Sequence, residues 1–281
     1  MPRVLMLVLL LTAVAPAHAQ SPVFDMHVHL RDGAASAAAF EARQADEGVE
    51  LRAYGAMWFG GPHQALEGQI DQVRAGNDRI IALAAANPKV VPIATVHPYD
   101  GEAALAELAR VAGQGVKVLK IHPHTQRFEL ADPRVLALAR RAGELGVVVL
   151  TDNAGIIAGD SQDLFNLALR APDTQFVFAH MGGMDFRFWN VLALARTAEG
   201  VFAENLHFDI SATVVLLADS PVEDEFVWTL RNVGIDRILL GSDHPQLSLG
   251  DTVDALDRLG LTAAETAKIR WGNAQRLFGL E

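Results

Sequence analysis

The sequence predicts an α/β fold, a single-domain (β/α)8 barrel, from three observations. Short β-branched apolar runs alternate with Ala- and Leu-rich amphipathic stretches along nearly the whole chain. Eight such units fit in the 281 residues, and a closed barrel of this kind takes about 250. No G-x-G-x-x-G or phosphate loop follows any strand, so an open dinucleotide-binding sheet lacks its fingerprint.

Residues 1–19 stand apart from that pattern. Arg3 gives a positive start, and the apolar run 4–15 is too short to span a bilayer, which takes about 20 residues. Ala17-His18-Ala19 then offers a small-residue cleavage site before Gln20. The segment reads as a secretory signal peptide, with an uncleaved anchor helix as the alternative. The mature chain, 20–281, is expected to be exported, periplasmic or secreted, and free of the membrane after cleavage.

The units follow in order. Strand one is placed at 23–28, and the Ala-rich stretch 34–47 forms its helix. Strand two falls in 49–59 and its helix in 65–86. Strand three is 90–96, followed by a helix at 102–112. Strand four is 116–121; the next helix starts at Asp132-Pro133, a capping Asp with Pro in the first turn, and runs to 145. Strand five is 147–150 with a helix near 162–170. Strand six is 176–179 with a helix around 188–197. Strand seven, 206–210, is more weakly written; Ser220-Pro221 opens the helix that ends at 233–234. Strand eight is 237–240, and amphipathic helices at 252–259 and 262–278 close the chain.

Composition narrows the chemistry. The absence of cysteine removes disulfides, thiolate metal sites and cysteine nucleophiles. A formal charge of −11 with no basic run argues against nucleic acid and anionic membranes as partners. A small-molecule substrate is the expected partner.

Barrel active sites lie at the carboxyl ends of the strands, and the polar residues interrupting apolar runs cluster there. Strand one ends in His27-Val28-His29, and side chains at i and i+2 of a strand share a face. Two imidazoles on one face are half of a tetrahedral metal site. Strand three ends in His97-Pro98, and strand four in Lys120-Ile121-His122-Pro123-His124. Strand five ends in Thr151-Asp152-Asn153, strand six in His180-Met181-Gly182-Gly183, and strand eight in Gly241-Ser242-Asp243-His244-Pro245. A lone rim histidine is more often a packed residue than a ligand, but chance would scatter so many between both rims and the helix surfaces.

The set Asp25-Met26-His27-Val28-His29, Lys120-Ile121-His122-Pro123, Phe178-Ala179-His180-Met181-Gly182-Gly183, Leu240-Gly241-Ser242-Asp243-His244-Pro245 and Gly272-Asn273-Ala274-Gln275-Arg276-Leu277-Phe278 resembles the amidohydrolase superfamily. The resemblance spans the mature chain. It is to the amidohydrolase-related branch, which includes aminocarboxymuconate-semialdehyde decarboxylase-like enzymes and lactone hydrolases. It implies metal ligands at His27 and His29, a ligand and proton acceptor at Asp243, and a catalytic role at His180 on the substrate or its water. It also implies one divalent ion, Zn²⁺ first and Mn²⁺ second, and a hydrolase that activates water to cleave a small amide, lactone or ester. A metal-dependent decarboxylase on the same scaffold and a non-catalytic exported binding protein are the alternatives.

One departure stands out. The family's strand-five histidine is replaced by position with Asp152. A carboxylate binds Zn²⁺ at about 2.0–2.2 Å, so Asp152 is a candidate ligand; orienting His180 or a water is its other reading. Lys120 resembles the lysine that is carboxylated in two-metal relatives, and the branch matched here often has it without that role. His122 and His124, around Pro123, are spare candidates for the site or for structural hydrogen bonds. Arg31, in a run similar to that of dihydroorotases, is either an anion clamp or a surface ion pair. Lys120, His122 and Arg31 are thus candidate substrate contacts. Trp58, Phe59, Arg127, Phe186, Arg187 and Trp189 are candidate pocket walls or, for the aromatics, core.

Overall fold

The computed structural model describes residues 21–198 and 204–281; the expected signal peptide lies outside them. Eight parallel strands follow one another around a single sheet in chain order. β1 (Val23–His29) leads to helix α1 (Ala34–Asp46), β2 (Leu51–Met57) to α2 (Ile70–Ala86), and β3 (Val90–Ala94) to α3 (Glu102–Gly113). β4 (Val118–Ile121) is followed by a single turn, α4 (Pro123–Gln126), and by α5 (Pro133–Glu144). β5 (Val148–Thr151) and α6 (Asp160–Arg170) precede β6 (Phe176–Phe178). A 3₁₀ run, Ala179–Asn190, then enters α7 (Val191–Ala195). β7 (Leu206–Asp209) leads to α8 (Thr213–Leu217) and α9 (Glu223–Val233), and β8 (Ile238–Leu239) to α10 (Leu249–Arg258), α11 (Ala263–Ala267) and α12 (Asn273–Phe278).

The two ends of the sheet meet through backbone hydrogen bonds. Met26 N donates to Leu240 O at 2.9 Å, His29 N to His244 O at 2.8 Å, and His244 N to His27 O at 3.2 Å. This seam sets the H-x-H strand directly beside the strand-eight turn, so residues more than 200 positions apart share one rim.

Capping accounts for several helix starts. Asp132 accepts from Arg134 N at 2.8 Å ahead of Pro133, as the sequence predicts. Ser248 accepts from Asp251 N at 2.9 Å, and Thr262 and Glu265 form a reciprocal capping box.

The main difference from expectation lies after β6. In place of a regular helix over 188–197, the chain makes the 3₁₀ run and only five residues of α-helix. Inside that run His180, Met181, Gly182 and Gly183 all have positive φ, which breaks helical periodicity. The turn is anchored by Trp189, whose ring centroid lies 5.2 Å from Phe178 and 4.7 Å from Phe208. Trp189 and Phe186 are fully buried, so they are core and not pocket wall. Each such ring contributes about 1.5–3 kcal/mol by leaving water. Trp58 is core as well; its indole Nε1 donates to Asn77 Oδ1 at 3.0 Å. Arg187 pairs with Glu225 on the outer surface.

Candidate active site and metal centre

Neighbouring groups fix the geometry of the H-x-H pair. His27 Nδ1 faces Asp209 Oδ2 at 3.0 Å, and His29 Nδ1 faces the carbonyl of Phe59 at 2.6 Å. Both partners are acceptors, so each Nδ1 carries the ring proton and each Nε2 keeps its lone pair. Those two Nε2 atoms converge on one oxygen: each lies 3.5 Å from Asp243 Oδ1. Two atoms bonded to a tetrahedral ion at about 2.0–2.2 Å stand roughly 3.3–3.6 Å apart. The donor set and its spacing therefore fit a divalent ion. Burial, then the nearby Lys120 ammonium, pushes the His27 imidazole down to about 4, leaving it neutral and able to ligate.

A second compact group, His27, His180 and Asp209, shares the same His27 ring. Ser211 already fills it: its Oγ lies 3.3 Å from His27 Nδ1 and 3.0 Å from His180 Nδ1, and its backbone N donates to Asp209 Oδ1 at 2.7 Å. This group is a hydrogen-bonded support beneath the first.

The rim turn that carries Asp243 is held by Asp25. This buried carboxylate accepts from Ser242 N at 2.8 Å, from Ser242 Oγ at 2.6 Å and from His27 N at 3.0 Å. Burial raises it to about 7, against the pull of those hydrogen bonds. Asp243 itself adopts φ 63°, a left-handed conformation rare outside glycine. Burial would raise its carboxyl, but the histidines around it hold it below its ordinary value.

His180 also lies in the left-handed region, at φ 58°. Its Nδ1 is 3.0 Å from the carbonyl of Ser211, and its own carbonyl accepts from Thr213 Oγ1 at 2.6 Å. On the cavity side, Nε2 is 3.3 Å from Asp152 Oδ1. Burial alone would lower this imidazole; the Asp152 hydrogen bond and the charges of Asp209, Asp152 and Asp243 outweigh it and hold the group up at about 9.

The sequence-derived residues thus gather unevenly. His27, His29, Asp243, His180, Asp152, His122 and Arg31 line one cavity of about 100 Å³, with Phe59 and Gly60. Asp152 faces His180 and, at 3.5 Å, His122 Nε2; it belongs to neither compact ligand group among the described residues. Its nearest polar partners are thus two imidazoles, as the orienting reading expects. Lys120 is fully buried beneath the cavity, Nζ 3.3 Å from His27 Nε2, and burial depresses its ammonium against the carboxylates of Asp152, Asp209 and Asp243. The Arg31 guanidinium lies over Gly61 and makes no ion pair among the described residues. His97 is outside the site: Tyr99 N donates to its Nδ1, and its Nε2 donates to Gln126 O. His124 pairs with Asp160 farther out, at 2.7 Å.

Asp209 and Ser211 were not among the residues the sequence nominated, nor were the supporting bonds of Asp25 and Ser242. A signal was present in His207-Phe208-Asp209-Ile210-Ser211, where a carboxylate interrupts an apolar strand at the same rim as the others.

A parallel barrel with a two-histidine, one-carboxylate cluster at its carboxyl rim defines a metal-dependent barrel enzyme. The amidohydrolase family model matches residues 24–280, and the chain belongs to that family. Over 124 residues it is 27% identical to the gamma-resorcylate decarboxylase of a Polaromonas species; the match takes in 39% of this chain and 35% of that enzyme. The chain therefore aligns with about a third of the curated relative's length. Among solved structures, 5-carboxyvanillate decarboxylase from Sphingomonas paucimobilis superposes with a TM-score of 0.71 at 17% identity, over 93% of this chain and 99% of that one. A dihydroxybenzoic acid decarboxylase from Polaromonas, determined with manganese and 2-nitroresorcinol, gives 0.67 at 17% identity, over 93% and 97%. At these identities the superpositions establish the fold.

Proposed function

We propose that the enzyme is a metal-dependent decarboxylase of a small carboxylic acid. The observation that carries this reading is the placing, in one cavity, of the His27–His29–Asp243 cluster with His180, whose Nε2 faces Asp152 Oδ1 at 3.3 Å. The decarboxylases named among its relatives support it. Hydrolysis, the activity first expected from the motifs, becomes the second reading; an ionised Asp243 able to take a proton from water favours it.

His27 and His29 through Nε2, with Asp243 through a carboxylate oxygen, would hold the ion. Manganese and zinc both suit two imidazoles and a carboxylate. Such an ion, when bound, supplies a positive anchor for the substrate's oxygens and draws electron density from the reacting carbon.

The chain's own groups do the rest. Arg31, at the cavity edge and without an ion pair among the described residues, meets substrate anionic charge. As the bond to the carboxyl carbon breaks, CO₂ leaves and the electron pair stays on the substrate carbon. His180 delivers a proton to that carbon from Nε2, and the imidazole left behind recovers one from solvent. Asp152 holds the cationic ring at Nε2 while Ser211 holds Nδ1. His122, pushed down to about 4 by burial, is neutral beside Asp152 and is a substrate contact in this reading. Lys120, whose ammonium burial depresses, supports His27 from below through Nζ, 3.3 Å from His27 Nε2. The mature enzyme acts outside the cytoplasm, as the leader sequence at 1–19 implies.

The test is a panel of hydroxybenzoates and related acids offered to manganese- and zinc-loaded enzyme in D₂O. CO₂ release with one deuterium on the vacated carbon is expected. Turnover of amides, lactones or esters with solvent ¹⁸O incorporation and no CO₂ from any acid supports hydrolysis instead.

A further inference from the structure

The catalytic cavity opens into a second chamber of different chemistry. The inner space, about 100 Å³, is walled mainly by ionisable side chains. The outer one, about 500 Å³, shares His122, Asp152, His180, Asp243 and Gln246 with it, so the two are one continuous cleft. Its remaining wall is largely apolar, with Ile156 and Ile157 from the loop after β5 and Leu216 from α8. These three are 81%, 49% and 68% exposed, although aliphatic side chains of this size are usually buried. Three of the seven large hydrophobic residues exposed among the described ones thus gather at this one opening.

The wall is built on a fixed base. Gly182 N donates to Asn153 O at 2.9 Å, tying the β6 turn to the β5 loop. A Cβ on Gly155 would lie 2.0 Å from Gly182 O, and one on Gly183 2.3 Å from Ala154 O. Both glycines have positive φ, so the loops meet backbone to backbone in a way no other residue allows. Exposed apolar side chains gathered beside a reaction centre form a binding surface rather than surface scatter.

We propose that the substrate is amphipathic, carrying an apolar body beyond its reacting carboxylate, and that Ile157 and Leu216 select for that body. The inner chamber takes the carboxylate and the atoms next to it; at about 100 Å³ it is too small for a whole ligand, since such sites run to about 300–1,000 Å³. The proposal rests on the decarboxylase reading for the identity of the polar head. Continuity with the inner cavity is what assigns the chamber to substrate rather than to a second protein.

The experiment measures binding, by calorimetry on the metal-loaded enzyme, of straight-chain carboxylates from acetate to octanoate and of the matching n-alkanols. Expected is a gain of about two- to fourfold in affinity per added methylene once the chain reaches the outer chamber. Ile157→Ser and Leu216→Ser should cut that gain by half or more, with acetate affinity and metal content unchanged. A flat series in the unaltered enzyme, or the same slope in both variants, overturns the proposal. If carboxylates fail to bind at all, the decarboxylase reading fails by itself. The alkanols then decide the chamber: a chain-length slope lost in the variants supports it, and none overturns it. A dimer that Leu216→Ser converts to monomer, with the slope intact, assigns the patch to a second copy and also overturns it.

Discussion

Asp209→Asn is the sharpest probe of the metal centre, because it is isosteric and its effect follows from counting protons. The two Asp209 oxygens have separate tasks: Oδ1 accepts from Ser211 N at 2.7 Å and Oδ2 from His27 Nδ1 at 3.0 Å. An asparagine has one acceptor. If its oxygen stays on Ser211 N, its NH₂ faces His27 Nδ1, and the ring must move its proton to Nε2 to accept from it. That proton then occupies the lone pair aimed at Asp243 Oδ1, 3.5 Å away. If the amide flips, Ser211 N loses its acceptor inside a fully buried site. The unfavourable tautomer or the lost bond costs about 1.4–2.7 kcal/mol, a 10- to 100-fold weaker hold on the ion, in line with the usual effect of removing a carboxylate behind a ligating histidine. Metal competition with a fluorescent chelator reads the affinity directly, and the ¹⁵N shifts of His27 read the tautomer. Wild-type affinity in a folded Asp209→Asn protein, with the proton still on Nδ1, refutes the reasoning.

Three further perturbations test other parts of the site. A Cβ at Gly60 would stand 2.5 Å from His29 Nδ1 and would strain a backbone at φ 125°. Gly60→Ala should therefore displace His29 and lower metal stoichiometry, as elemental analysis would show; full occupancy counts against the placement. Ser242→Ala removes the 2.6 Å bond to Asp25 and leaves a buried oxygen short of a donor, at about 1–3 kcal/mol; calorimetry should show Tm lower by several degrees, and an unchanged Tm contradicts the role given to Asp25. His180, raised to about 9, carries its proton below that pH and loses it above. The decarboxylation rate should fall as pH rises through about 9, and Asp152→Asn should move that fall to lower pH, since the partner that offsets burial is gone. A limb that does not move in Asp152→Asn dissociates the two residues.

Sequence legibility tracked the kind of force at work. Strands 118–121 and 148–151 are buried throughout and apolar except at Lys120 and Thr151, and a parallel sheet covered by helices demands such a pattern. β7 was harder to see because Leu206-His207-Phe208-Asp209 alternates polar and apolar, although Asp209 is as buried as Phe208. A buried carboxylate looks like surface until its partners, here Ser211 and a histidine 182 residues away, are known. The 3₁₀ run after β6 was opaque for another reason. His180 and Met181 have no local cause for positive φ; tertiary bonds from Thr213 and packing around Trp189 impose it. The H-x-H pair was legible because a two-residue period places both rings on one face without help from elsewhere. Asp152 lies in the cavity as its position in the sequence suggests, but its contacts with His180 and His122, which bear on its two readings, come from chain segments that the sequence does not place beside it.

The left-handed residues and the buried carboxylates belong to one physical arrangement. Asp243 at φ 63° and His180 at φ 58° each cost about 1–2 kcal/mol relative to relaxed backbone. Each is held by bonds that reach from a neighbouring strand. Ser242 on Asp25 fixes the first turn to β1, and Thr213 on the carbonyl of His180 fixes the second to the segment after β7. Neither turn is stable by its own sequence, so each side chain is aimed correctly only once the barrel has closed. Loosening one support should then disturb the distant partner: Thr213→Val, which keeps the shape and removes the donor, should free the His180 turn and weaken the Asp152 contact without touching the His27–His29–Asp243 cluster. Metal affinity should hold while the alkaline limb of the rate moves down in pH. Loss of metal in Thr213→Val would mean that the two halves of the site are not separately supported.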